Sequence, residues 1–359
     1  MALCVGLVEA HLARHPRMVL NETAANYRFA GRAAGGAARS AEVLVFGDSQ
    51  LKFALLPRVV EARAGRRAFN LAIVGGQPPA SYFLLRRALD AGARPSAILL
   101  DAKPNVLADD PRSNARNTPE LLTAAEVARL ALDARDPDFL VRQLLALAWP
   151  SYRARAEARR AVKDAFRPPR STLAADAERL DRNWRVNAGA MVAAKNPHYG
   201  GDLDDRQRDA FLPNSWRCDP VNRLYLGRFL DLARSRAIPV YWLIPPIAPR
   251  VQLRREAAGL DGRFTDFVAH YASRYDNLTV VDARRAAYPT EVFIDPGHLD
   301  RDGAWAYSAA VAAVLRRGPG GHGRWVDLPA VGRVASAVAL EDLEQSRAAI
   351  AAEPRGVRR

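Results

Sequence analysis

A serine, an aspartate and a histidine occupy positions in this chain that suit nucleophilic chemistry. The run Val43-Leu-Val-Phe-Gly-Asp-Ser-Gln50 is an apolar strand pattern passing directly into Gly47-Asp48-Ser49, with a helical pattern beginning near Phe53. Such a junction presents Ser49 at the carboxyl end of a strand and beside a helix start, where backbone N–H groups can stabilise an oxyanion. Gly47 permits the sharp turn. The same residues also suit simple helix capping by Asp48 or Ser49, and three residues alone do not decide between the two. The run Phe293-Ile-Asp-Pro-Gly-His-Leu-Asp-Arg-Asp-Gly-Ala304 sets Asp295 and His298 three apart in a Pro-Gly turn. A carboxylate there can accept from the imidazole Nδ1–H, which fixes the tautomer and leaves Nε2 as a base. Capping is again the alternative, and for a helix expected at Gly303 the natural cap is Asp302. Asp300-x-Asp302-Gly303 matches part of a calcium loop, but Ala309 stands where the bidentate Glu belongs, so no metal site is expected.

Positioning these residues requires a scaffold, and the pattern of apolar runs supplies one. Five short runs read as buried parallel strands: Glu42–Phe46, Ala68–Ile73, Ala97–Asp101, Pro239–Ile244 and Leu278–Asp282. Helical patterns alternate with them at Phe53–Ala64, Ala80–Ala91, Asn222–Arg236, Arg263–Arg274 and Gly303–Arg316. This alternation predicts an α/β fold, a doubly wound and mostly parallel five-stranded sheet. One interruption, residues 106–218, is helical and rich in Arg and Ala. Helices are expected there at Thr118–Leu132, Asp136–Phe166 and Ser171–Trp184, with a loop over Asn187–Ser215. It reads as an insertion after the third strand, capping the edge where such sheets carry ligands. The reading divides the chain into an N-terminal helix at 1–40, an α/β domain at 41–316, and a linker and tail helix at 317–359. The linker signal is the Gly-rich run at 318–323, and the tail helix is expected over Ala337–Ala351.

Taken in chain order, the serine block and the Asp-x-x-His block each fall at a strand–helix junction on one edge of the expected sheet. This order and spacing resemble the SGNH (GDSL-like) hydrolases, whose first block is Gly-Asp-Ser and whose last is Asp-x-x-His. The resemblance implies a flavodoxin-like fold, with Ser49 as nucleophile, His298 as general base and then acid, and Asp295 as its orienter. The family's glycine after the second strand is matched by Gly75, in Asn70-Leu-Ala-Ile-Val-Gly75-Gly76. Its N–H would join that of Ser49 in an oxyanion hole. The family's Gly-x-Asn-Asp block is absent; the third strand ends Leu100-Asp-Ala-Lys-Pro-Asn105, leaving Asn105 as a substitute donor. The resemblance covers about 42–105 and 239–316. Within the family, the insertion looks most similar to SGNH-like carbohydrate O-acetyltransferases of the bacterial envelope. That implies a serine-dependent esterase or O-acyltransferase acting without a cofactor on a small-molecule or carbohydrate ester, with the cell envelope or periplasm favoured and the cytoplasm left open. The competing expectation is a catalytically silent module that holds a glycan.

Composition narrows the classes further. The formal net charge is +14, but only Lys52, Lys103, Lys163 and Lys195 among the 53 basic residues are lysines. The arginines are spread over nearly every segment, the densest run being Arg153 to Arg170, so a nucleic-acid partner is not expected. A dinucleotide site is not expected, since G-x-G-x-x-G is lacking after the first strand. Cys4 and Cys218 are too far apart in sequence for a disulfide framework or a CxxC metal site. The stretch Met1–Val8 is apolar yet too short to span a bilayer, and reads as the remnant of a membrane anchor or as a docked surface helix. His198, Lys103 and Arg217 are weaker candidates for contact with substrate. His270 reads as structural, Trp242 as core, and Pro245-Pro246 as cleft wall.

Overall fold

The computed structural model describes residues 2–15, 20–166, 172–204, 207–208, 211–213, 215–318, 325–332 and 339–352. The five apolar runs form strands β1 (Val43–Phe46), β2 (Ala68–Asn70), β3 (Ala97–Leu100), β4 (Val240–Ile244) and β5 (Leu278–Asp282). A sixth, β6 (Trp325–Asp327), lies in the segment expected as linker, and it pairs with β5. All pairings are parallel, in the order β2-β1-β3-β4-β5-β6. This is the α/β, doubly wound arrangement, with one strand more than the sequence pattern revealed. Its direction reverses between β1 and β3, so loops leaving those two strands diverge and open a crevice.

Side-chain alternation divides the interior into two layers. Leu44, Phe46, Ile98, Leu100, Val240 and Trp242 face one apolar cluster, while Val43, Val45, Ala97, Leu99, Tyr241 and Leu243 face the other. Trp242 is fully buried, as the pattern required.

The helices number, in chain order, α1 (Ala2–Arg14), α2 (Glu22–Gly35), α3 (Ser49–Ala54), α4 (Pro57–Ala64), α5 (Pro78–Asp90), α6 (Pro104–Ala108), α7 (Thr118–Leu121), α8 (Ala124–Ala134), α9 (Pro137–Ala148) and α10 (Pro150–Arg153). They continue as α11 (Arg155–Phe166), α12 (Leu173–Val186), α13 (Pro220–Ser235), α14 (Pro249–Ala257), α15 (Leu260–Arg274), α16 (Arg301–Arg317) and α17 (Leu343–Ala352). Helix α2 packs on α5, α7 and α12, with Ala30 and Ala34 fully buried, so it is built into the body rather than appended to it. Among the described residues no helix is long and apolar enough to cross a membrane.

Prolines and caps explain where the helices depart from the periodic pattern. The expected Phe53–Ala64 helix is two, α3 and α4, because Pro57 cannot continue a helix from the residues before it. Pro150 divides the expected Asp136–Phe166 helix in the same way. Thr123 starts α8 with a capping box to Glu126, which ends the single helix expected from Thr118. Asp300 rather than Asp302 caps α16, its Oδ1 accepting from the N–H groups of Asp302 and Gly303 at 2.9 Å. Most of the glycine-rich run at 318–323, together with the starts of the helices expected at Ser171 and Ala337, lies outside the described residues.

The insertion returns to the sheet through a backbone contact. Ala188 accepts from Asn70 N–H at 2.9 Å, laying the chain beside β2. Gly189 follows at φ +93, where an added Cβ would lie 2.1 Å from the Asn70 carbonyl oxygen.

Candidate active site

The serine turn is set by what surrounds Gly47. Its φ of +141 favours glycine, and a Cβ there would lie 2.9 Å from the Asp101 carbonyl oxygen. Asp48 then caps α3, accepting from Gln50 N–H at 2.7 Å. Capping and chemistry therefore coexist, since the cap is Asp48 and Ser49 is left as the first helical residue. Its N–H is one of the orphan donors at a helix start.

Ser49 and His298, 249 positions apart, meet with Oγ 2.8 Å from Nε2, while His298 Nδ1 lies 2.7 Å from Asp295 Oδ2. An ionised carboxylate only accepts, so Nδ1 carries the proton and Nε2 is left to accept from the Ser49 hydroxyl. The other Asp295 oxygen accepts from the N–H groups of Gly297 and His298 at 2.9 and 3.0 Å. Burial raises the Asp295 pKa. His298 and these two N–H groups outweigh it and hold the carboxyl below its ordinary range. An antiparallel bridge between Phe293 and Leu299 closes the turn.

Several residues that the motif reading did not single out tie the two halves together. Gln50 is buried and donates from Nε2 to the Gly297 carbonyl at 3.3 Å, linking the serine turn to the histidine turn. Phe53 lies against the His298 ring, centroids 4.9 Å apart. From the insertion, Asn196 Nδ2 donates to the Ile294 carbonyl at 2.8 Å, the Ala193 carbonyl accepts from Arg301 N–H at 3.0 Å, and Phe211 packs beside Gly297. Gln50, Phe211, Asn105 and Trp216 share a small pocket of about 20 Å³ with Lys103 and Arg255.

Behind the serine turn, Lys103 Nζ lies 2.6 Å from Asp48 Oδ2. Asp101, also buried, is pushed well above the usual carboxylate range by burial and by the charge and hydrogen bond of Asp48, against a smaller opposing pull from Lys103. The pairing of two buried carboxyls thus favours the protonated form of Asp101. Lys52, on the other side of α3, is fully buried with no hydrogen-bond partner for Nζ among the described residues. It sits over the rings of Phe29 and Trp184, 5.6 and 5.1 Å from their centroids, and burial lowers its pKa to about 7.

The remaining sequence candidates separate into near and far. Gly75 adjoins the serine turn: its neighbour Gly76 leaves no room for a Cβ, which would lie 2.4 Å from the Gly47 carbonyl oxygen. The Gly75 carbonyl accepts from Asn114 Nδ2 at 2.9 Å, a support that no sequence motif marked. Asn105 lines the pocket beside Gln50, and its side chain makes no hydrogen bond to the triad. Lys103 pairs with Asp48 and also lines that pocket. His198 and Arg217 are exposed, and His198 is not brought to the triad, although its loop is. His270 is exposed on α15, and Pro245 and Pro246 are buried. No group of three or more metal-ligating side chains gathers among the described residues. No protein-family model matches this chain, and no curated protein matches it.

Proposed function

We propose that this protein is a serine-dependent ester hydrolase or O-acyltransferase of the SGNH type. The observation that carries the reading is the unbroken chain from Asp295 through His298 to Ser49, at 2.7 and 2.8 Å. The β2-β1-β3-β4-β5 order and the position of Ser49 directly after β1 support it. His298 Nε2 takes the Ser49 proton as Oγ attacks an ester carbonyl, then passes it to the leaving alcohol. Asp295 keeps the imidazole in the required tautomer and balances the charge that forms. The N–H groups of Ser49 and Gly75 receive the oxyanion. Water or a sugar hydroxyl then attacks the acyl-enzyme, so the substrate is an acylated carbohydrate or small ester.

A fluorophosphonate probe should label wild-type protein at Ser49, and Ser49→Ala should take up none. The same variant should lose at least about a thousandfold of the hydrolysis rate on an activated acetyl ester. Full activity of Ser49→Ala would refute the mechanism. One observation favours a second reading, a silent glycan-binding module: β3 is not followed by Gly-x-Asn-Asp, and Asn105 makes no hydrogen bond to the triad. Folded protein that resists the probe yet retains an acylated oligosaccharide on a column would support that reading instead.

A further inference from the structure

Ten large apolar side chains stand exposed among the described residues, and seven of them fall between 132 and 166. Helix α9 accounts for the concentration. Phe139, Gln143 and Ala146, spaced at i, i+4 and i+7, are its buried side against α7 and α8. Val141, Leu144 and Leu145 occupy the opposite side, and Trp149 and Tyr152 extend it into α10. Val141 is 56% exposed and Trp149 is 48% exposed, far beyond what an isolated surface leucine or valine needs explained.

A pocket of about 290 Å³ opens beside this face, lined by Arg116, Arg142, Arg153, Arg155, Gln143 and Tyr152 with small alanines. No acidic residue lines it. Around it, Arg28, Arg112, Arg116, Arg142 and Arg153 pair with only four carboxylates, those of Asp110, Glu120, Asp136 and Glu157. Arg155 rests on the Tyr152 ring. Four arginines thus line the pocket, and Arg155 alone among them has no ion pair among the described residues. Helix α1 docks at the same end, through Ser151 N–H donating to Glu9 Oε2 at 3.1 Å.

We infer that the α9–α10 face is a docking surface for an anionic phospholipid membrane. The apolar side enters the headgroup boundary, and the arginine pocket receives a lipid phosphate. An apolar stripe carrying Trp and Leu with an arginine fringe is the pattern of a helix lying in a membrane interface. A second copy of the chain fits less well, because a two-fold contact would set the same arginine-lined pockets against each other.

The test is sedimentation of the full chain with phosphatidylcholine vesicles, with and without phosphatidylglycerol. Binding should require the anionic lipid and fall as salt rises. Arg142→Ala and Arg155→Ala should each weaken it about fivefold. Leu145→Ser with Trp149→Ser should remove most of it. All these variants should keep Ser49 labelling, which reports the fold and the active site independently. Equal binding to neutral and anionic vesicles would overturn the inference. So would absence of binding, whether the chain stays monomeric or forms a dimer that Leu145→Ser with Trp149→Ser dissociates.

Discussion

Burial and the neighbouring Asp48 charge push the Asp101 pKa up. Its carboxyl is buried against Asp48, and only Lys103 opposes the cost of a second negative charge there. The folded pKa lies above the unfolded value, so this group favours the folded state at low pH and the advantage is lost as pH rises through the folded pKa. Asp101→Asn supplies the same donor without the proton. It should therefore be at least as stable as wild type near neutral pH, with the margin growing as pH rises, and should retain ester hydrolysis. Asp101→Ala removes the buried carboxyl beside Asp48 and leaves a cavity, and should lose about 1–3 kcal/mol. Thermal unfolding across pH checks both. Ser49, Asp295 and His298 were legible in the sequence because their residue types and local spacing announce the chemistry. Gln50, Asp101 and Lys52 were not, because their roles come from partners the fold brings in, such as Gly297 for Gln50.

Among the elements, α3 faces two environments. One end carries Ser49 into the crevice, and the other buries Lys52 beneath α2 and α12. The folded pKa of about 7 is below the ordinary 10.5. Between those values the unfolded chain holds a proton the folded one lacks, so stability rises with pH across that interval and is flat below it. Lys52→Met should be more stable by a few kcal/mol (order of magnitude) near pH 7 and below, with the gain shrinking towards about pH 10. A constant gain across that range in calorimetry would refute this account of Lys52. Gly76 makes a different demand. Its Cβ would collide with the Gly47 carbonyl and the Ile73 carbonyl, both backbone atoms. Gly76→Ala should cost about 2 kcal/mol or more and slow Ser49 labelling, since neither neighbour can move without shifting the serine turn. The strands β1 to β5 were legible as apolar runs longer than a chance cluster. Strand β6 was not: three residues, partly exposed, following a glycine-rich run, carry almost no pattern. The helix breaks at Pro57 and Pro150 were readable from the prolines themselves, but helical periodicity ran through them and masked the signal.

Over the whole molecule, the segments outside the αβ repeat close what the repeat leaves open. The insertion lays Ala188 along the edge strand β2, and β6 covers β5, so the longer strand β5 is kept from chance pairing and the other edge is the three-residue β6. The tail then ties to the insertion. The Glu341 carboxylate pairs with Arg182, and its carbonyl accepts from Asn183 and Asn187 at 2.8 Å. A chain ending at residue 317 should unfold several degrees lower and aggregate more readily, while its folded fraction still takes the fluorophosphonate. Calorimetry and labelling in parallel check the two halves of that expectation.

The bond between Ser49 and His298 also has a history in time. The ribosome releases the serine early and the histidine 249 residues later. At about 5–20 residues per second, roughly ten to fifty seconds separate them. Throughout that interval the emerging chain carries an inert hydroxyl, with no imidazole to activate it. On the proposed reading, the triad can assemble only once His298 has emerged, so fragments abandoned before that residue carry no esterase into their surroundings.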